Sequence, residues 1–313
     1  MKRAQSPILE ALRIAANDDA EALRFLEARR WGDAPACPLC GDLDVYQMAD
    51  AKTGERNKDG RWRCRGCKRM YTVRTGTVMA ESRLPLRVWC YAFWKACSSK
   101  KGVSAKQIER ECEISYKSAL FVMHRIRAGV ADLNPPKLSG TVEADETYVG
   151  GKPRNRRKGM QGQHDKTPVI GAVERGGEIR FRVMERVTAA GLKAALREHV
   201  EQDARLHTDE SSAYTKLGRE YGGGHHTVNH SKREYARGEV HTNTIEGAFS
   251  LIKRGMYGTF HSVSKKHLHR YMSEFEFRYN TRKLDDGQRV AAEIKRSEGK
   301  RLTYAEQVSQ PGA

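Results

Sequence analysis

The sequence has no apolar run approaching the roughly 20 residues that a membrane-spanning helix requires, so no membrane partner is expected. It also lacks the marks of a secretory leader. The N-terminus, MKRAQSPILEALRIAANDDA, carries acidic residues where a leader needs its apolar stretch and cleavage site. A cytoplasmic location is the expectation, and thiols stay reduced there. The seven cysteines are therefore expected as metal ligands and core residues, not disulfides. No internal repeat is present. Acidic residues are scarce: 39 Asp and Glu against 57 Lys and Arg leave a formal charge of +18 and a pI near 9.7. Acidic surfaces serve solubility at least as well, so the excess points to a polyanionic partner, nucleic acid.

A chain of 313 residues suits two or three domains, each able to bury a core. Composition divides it into a helical lead over 1–32, a cysteine-bearing module over 33–78 and a helical region over 79–133. The last of these ends at Asn134-Pro135-Pro136, which cannot continue a helix. Residues 134–284 alternate short strands with helices, an α/β pattern. Residues 285–313 are polar and are expected to fray.

In the cysteine-bearing module, Cys37-Pro38-Leu39-Cys40 and Cys64-Arg65-Gly66-Cys67 are two CxxC knuckles. Each places two sulfurs on one tight turn, and two such turns supply the four thiolates of a structural zinc ion. The interval between them slightly exceeds the usual ribbon spacing. Residues 50–60 are polar enough to loop out of a hairpin and absorb the excess. Cys90 and Cys97 fall at helical spacing with Leu86, Trp89, Phe93 and Trp94, as core residues do. Cys112 follows Ala105 and Ile108 on another such face.

Ser104 is placed to cap a helix over Ala105–Cys112, and Glu113-Ile114-Ser115 makes a short turn into a second helix. Ala119, Val122, Met123, Ile126 and Val130 face inward, which leaves Tyr116, Lys117, Phe121, His124 and Arg125 outside. The dimensions fit a helix-turn-helix, with Tyr116, Lys117 and Arg125 reaching DNA, and they fit an ordinary helical hairpin as well.

The α/β region opens with a strand over Thr141–Val149 that carries Glu143 and Asp145 on one face. Residues 166–174 and 178–185 read as second and third strands joined by Gly176-Gly177. Thr188 can cap a helix through Val200, and 204–209 is a short strand ending in Asp209. A helix then opens at 241–246 with Ile245, Phe249, Ile252 and Met256 toward the core. Asn243, Glu246, Ser250 and Lys253 recur on a different face. Clustered carboxylates are a costly like-charge contact unless they hold hard cations. Phosphodiester chemistry uses two such ions about 4 Å apart to bracket the scissile phosphate. Lys253 would hold DNA phosphate beside them. Glu143 and Glu146 flank Asp145, and Asn243 precedes Glu246, so a ligand can shift by a position.

Lys152, Arg154, Arg156, Arg157 and Lys158 crowd the loop after the first strand. They suit a DNA backbone contact, and equally a solvated loop that orders only on DNA. None of the many histidines after residue 220 is given a role.

Over nearly its whole length, from CPLCG at 37–41 to EFEFRYN at 274–280, the chain resembles the zinc-ribbon DDE transposases of bacterial insertion sequences, specifically the insertion-sequence fifteen-ninety-five group. The most specific stretches are VEADETYVGGK at 142–152, HTDESSAY at 207–214 and the long segment 228–271 around TNTIEG. The resemblance implies a ribonuclease-H-like catalytic domain behind a zinc ribbon and a helix-turn-helix-like region. It implies Asp145, Asp209 and Glu246 as ligands of Mg²⁺ or Mn²⁺, and Lys253 as the basic residue following the final glutamate. Zn²⁺ would be structural, on Cys37, Cys40, Cys64 and Cys67. The partners implied are terminal inverted repeats and target DNA, bound by a homodimer or larger assembly at the bacterial nucleoid. Two other readings share these residues: a DNA-binding regulator with an inert catalytic domain, and a nuclease of the same fold that cleaves without joining.

Overall fold

A computed structural model describes residues 6–150, 166–234 and 236–308. The chain forms two compact units, one from 1–131 with 283–313 and the other from 132–282.

The first unit begins with helices α1 (Pro7–Ala15) and α2 (Asp19–Arg30). The Asp18 carboxylate caps α2 by accepting from the Glu21 amide. Three short antiparallel strands follow, β1 (Val45–Gln47), β2 (Trp62–Cys64) and β3 (Met70–Tyr71), in the order β1-β2-β3. Their inner face buries Trp62, Cys64 and Tyr71, with Trp31 packed against them edge-on to both Trp62 and Tyr71. Glu27 on α2 accepts from the Trp62 indole and pairs with Arg56, which joins the helical lead to the strands.

Helix α3 (Leu86–Ser98) buries Trp89, Cys90, Phe93 and Cys97, as its spacing predicts. Helices α4 (Ala105–Cys112) and α5 (Tyr116–Val130) form the expected pair. Ser104 and Ser115 cap them, and Glu113 takes the left-handed conformation that turns the chain between them.

The second unit is built on a five-stranded sheet. Strand β4 (Thr141–Val149) is central, with β5 (Thr167–Glu174) and β6 (Ile179–Val183) antiparallel on one side. Helix α6 (Ala189–His199), capped by Thr188, crosses to β7 (Arg205–Thr208), which pairs parallel with β4. Helix α7 (Ser212–Gly218) leads to β8 (His225–Thr227), parallel to β7. A two-stranded hairpin, β9 (Ala236–Arg237) and β10 (Val240–His241), precedes helix α8 (Asn243–Gly255), and α9 (Leu268–Asn280) closes the unit. The sheet order β6-β5-β4-β7-β8, three antiparallel strands and then two parallel ones, is the ribonuclease-H-like arrangement.

Alternation along the strands divides the core. Val142, Ala144, Ile170 and Ala172 pack under α6 and α7, while Val169, Val173 and Ile179 pack under α8 and α9. Gly171 lies opposite Asp145 in the β4–β5 register. A Cβ there would sit 2.7 Å from the tip of Ile245 and 3.0 Å from Phe249, so its absence lets α8 settle onto the sheet at this point.

Two expectations need correction. Residues 286–308 are not a frayed tail: α10 (Asp286–Arg296) carries a full capping box and buries Val290 and Ile294. The Cys97 thiol donates to Glu293, and Arg289 donates to the Cys97 carbonyl. The polar sequence concealed a helix because its apolar positions are few but correctly spaced. A short α11 (Tyr304–Val308) then sets Tyr304 against Phe121 of α5. Arg125 is not a surface DNA contact either. It is buried, donates to the carbonyls of Leu302, Val78 and Ala80, and lies over the Phe121 ring; His124 is buried beside it. Of the expected outer face of α5, Tyr116 and Lys117 are exposed. The helical pattern gave the correct inward stripe but could not anticipate the C-terminal segment that covers the other side.

If α10 is part of the core, Ile294→Ala should cost about 2–5 kcal/mol. A chemical denaturation midpoint reads this directly, and a loss within about 0.5 kcal/mol, as for a surface position, would restore the tail.

Candidate active site and zinc ribbon

The ribbon's four sulfurs converge. Gly41, with φ near +80°, closes the first knuckle, its amide donating to the Cys37 carbonyl. The second knuckle runs off the end of β2. The Sγ atoms of Cys37, Cys40, Cys64 and Cys67 all lie within 4.8 Å of one another. Cys37 to Cys67 is 3.7 Å and Cys40 to Cys64 is 3.6 Å. A zinc tetrahedron with bonds of about 2.3 Å has edges of about 3.8 Å, so the donor set fits that ion in chemistry and in size.

In the second unit, Asp145 lies on β4, and β7 runs parallel beside it with Glu143 opposite His207. The same register, two residues on, brings Asp209 alongside Asp145 just past the end of β7. Glu246 stands in the first turn of α8, on the face of the sheet that Asp145 shares. The Thr242 hydroxyl donates to its Oε1 at 2.8 Å, and His230 Nε2 lies 3.5 Å from the same oxygen. Burial, with Asp209 and Glu246 adding repulsion, raises Asp145 to about 6 against the hydrogen bond it accepts from the Glu146 amide. Clustered acids of this kind favour either protons or hard divalent cations. Among the described residues the donor atoms already gathered tightly are the four cysteine sulfurs, and the three acids are coupled through their charges. Lys253 is exposed two turns further along α8.

The neighbouring acids have different surroundings. Glu143 is wholly buried. Its Oε1 accepts from Arg175 Nε at 2.8 Å and the Thr244 hydroxyl at 2.9 Å, with His241 Nδ1 at 3.2 Å. Its Oε2 accepts from the amides of Thr244 and Ile245 at the N-terminus of α8, at 2.8 and 3.2 Å. Both oxygens are thus committed, and they satisfy amides that the first turn of a helix leaves without partners. Glu146 alternates to the opposite face, where burial, with the charges of Asp145 and Asp209 adding to it, lifts it to about 7 against the lowering effect of Tyr214. Glu143 thus has both oxygens engaged away from the other acids, whereas Glu146 is close enough to feel the charges of Asp145 and Asp209.

Reading the sequence alone missed His230 and Glu210. Glu210 accepts from the amides of His230 and Ser231 and from the Ser231 hydroxyl, which hold its carboxyl down at about 2 and fix the turn carrying His230. Both occur within the HTDESSAY and VNHSK stretches, but no spacing rule pairs residues so far apart. Residues 152–158, with the expected basic cluster, lie outside the described residues.

The ISXO2-like transposase domain family matches residues 137–280, and the transposase zinc-ribbon domain family matches residues 17–70. A protein of transposable element ISH50 from Halobacterium salinarum is 28% identical over 274 residues, covering 83% of this chain and 90% of that protein. Among solved structures, a simian T-cell lymphotropic virus intasome covers 61% of this chain and 63% of its own at 10% identity and a TM-score of 0.27. The Mos1 strand transfer complex covers 61% and 69% at 13% identity and a TM-score of 0.30. The fold and the two domain matches define a transposase of the ribonuclease-H-like class. Within it, the chain belongs to the zinc-ribbon insertion-sequence family with an ISXO2-like DDE domain.

Two predictions follow from this geometry. Cys64→Ser should lower zinc content, measured by atomic absorption, from about one per chain and unfold the ribbon. Full occupancy in that variant would overturn the ligand set. The second concerns two acids on one strand face, for which substitution should shift stability in opposite directions. Because folding raises the Asp145 pKa to about 6, its charge destabilises the fold above the unfolded value near 4, fully by pH 7. Asp145→Asn should therefore melt a few degrees higher than wild type at pH 7 without divalent ions, and the gap should close as pH falls from 7 toward 4. Glu143→Gln should melt lower, since an amide breaks a buried ion pair worth about 3 kcal/mol or more when broken. Scanning calorimetry giving the same sign for both would refute the distinction.

Proposed function

We propose that the protein binds terminal inverted repeats through its first unit and uses Asp145, Asp209 and Glu246 to free 3′-hydroxyl ends and join them to target DNA. The observation that carries this reading is the parallel register of β4 and β7, which sets Asp209, just past the end of β7, beside Asp145 on β4, with Glu246 brought to the same face by α8. Asp145, Asp209 and Glu246 would hold the divalent ions, which when bound lower the pKa of an attacking hydroxyl and neutralise the leaving oxygen. The chain's own part is geometric. Glu143 fixes the first turn of α8, Thr242 orients the Glu246 carboxylate, and the Glu146 amide orients Asp145.

In the first step a water adds to the phosphorus and the bond to the 3′ oxygen breaks, leaving a 3′-hydroxyl. In the second that hydroxyl attacks a target phosphodiester, forming a new bond to its phosphorus while the target's own 3′ oxygen is displaced and leaves as a hydroxyl, with no covalent link to protein. Lys253 and the basic run Lys152, Arg154, Arg156, Arg157 and Lys158 would hold phosphates flanking the break, and Tyr116 and Lys117 would contact the repeat from the exposed first turn of α5. Two ends must be held together, so a dimer or larger assembly is proposed, acting at the nucleoid. No helix of the described residues is long and apolar enough to cross a membrane.

Asp145→Asn, Asp209→Asn and Glu246→Gln should each lower nicking and strand transfer on a labelled repeat by several orders of magnitude. Each should retain repeat binding in a gel-shift assay. Strand transfer at the wild-type rate in any one would remove that residue from the site. Cleavage without joining in the wild type would favour a nuclease.

A further inference from the structure

The outer face of the zinc ribbon has a composition that holding zinc does not require. On β2 and its flanks the side chains alternate strictly. Trp62 and Cys64 point inward, and Arg61, Arg63 and Arg65 point outward and are exposed. The ladder continues past both ends of β2, since the Met48 amide donates to the Arg61 carbonyl and the Arg65 amide donates to the Asp44 carbonyl. Arg61 just before β2 and Arg65 at the start of the second knuckle's turn are thus held to the neighbouring strand on either side of Arg63. Across the sheet, Tyr46 on β1 and Met70 on β3 are both registered against Arg63, which sets an exposed aromatic and an exposed thioether on either side of the central guanidinium. Tyr46 is 39% exposed and Met70 56%. The Arg65 guanidinium lies over the Tyr46 ring, 5.2 Å from its centroid. Lys68 and Arg69 follow at the exposed turn into β3.

The nearby acids are Asp59 and Asp44, at 3.0 Å from Arg61 and 3.5 Å from Arg65. Both pairs are exposed, and such pairs give way readily to a polyanion. Among the described residues no acid is paired with Arg63. Ribbon strands this short need one packed face, which Trp31, Trp62 and Tyr71 provide. The other face is free to carry function.

We infer that this outer face is a docking surface for the phosphate backbone of duplex DNA, with Arg61, Arg63 and Arg65 as successive contacts and Tyr46 as a stacking support for Arg65. Steps of two residues along a strand place the three guanidiniums across roughly 13 Å. One DNA strand advances about 3.4 Å per phosphate along its axis, so the row spans about four phosphates. The contacts carry charge without base edges, so they hold the ribbon on DNA without selecting sequence. This rests on the proposed function for its partner, while the face itself is defined by register and charge.

The test uses the full-length, zinc-loaded chain and the salt dependence of its affinity for a random-sequence duplex. Each lost phosphate contact should flatten the slope of log affinity against log salt by about 0.9. Arg63→Gln is expected to flatten it by about one such step, and the triple change Arg61→Gln, Arg63→Gln, Arg65→Gln by up to three. Zinc content and melting temperature should remain at wild-type values. Arg24→Gln, on an exposed arginine of α2 paired with Glu21, serves as the charge-matched control and should leave the slope unchanged. The inference is overturned if the triple variant keeps the wild-type slope or falls no further than the control. It is also overturned if the variant binds DNA normally but loses self-association in sedimentation, which would make the face a protein contact. A wild-type chain that binds this face's DNA but neither nicks nor joins would instead refute the proposed chemistry and leave this surface standing.

Discussion

The second unit depends on one buried carboxylate. Glu143 has no solvent of its own, and its charge is balanced by Arg175, the Thr244 hydroxyl and two amides at the start of α8. Those amides would otherwise be unsatisfied donors at a helix end. Strand and helix are therefore joined where each most needs a partner. Asp145 lies two residues along the same strand face, and Glu246 lies in the same helical turn, so the link sets the frame in which the two acids meet. The cost of burying an acid here is visible in Asp145, raised to about 6 chiefly by burial and further by Asp209 and Glu246, and that destabilisation is offset elsewhere in the unit.

The sequence made the central strand legible because its register is tightly constrained: a one-residue slip would exchange Glu143 and Asp145 for Ala144 and Glu146 on the α8 face. The observed strand spans the residues that alternation marks, and the helix beginning near Asn243 has the apolar stripe its spacing predicts. The roles of Glu143 and Glu146 were not legible. Alternation states which side a residue takes but not what lies there, and the partners of Glu143 come from residues 32 to 102 positions away. His230 and Glu210 were hidden for the same reason.

In the first unit the cysteine spacing was enough to find the ribbon, since thiolate geometry is local. The expectation for Arg125 failed because helical periodicity describes one face, and the segment around Leu302 returns to cover the other. The same blindness made α10 look like a tail. Its burial against α3 ties the end of the chain to the same unit as its beginning, with the second unit inserted between them.

Gly171 gives this arrangement a further property. Because no side chain stands there, the helix carrying Glu246 approaches the sheet until Ile245 and Phe249 fill the space above the backbone. The separation of Glu246 from the strand acids is thus also a packing distance, set by hydrocarbon together with the Glu143 link. Packed hydrocarbon is nearly incompressible and tolerates few intermediate arrangements. The acids are held by a spacer rather than a spring, so repulsion among them is borne by the core and does not widen the gap.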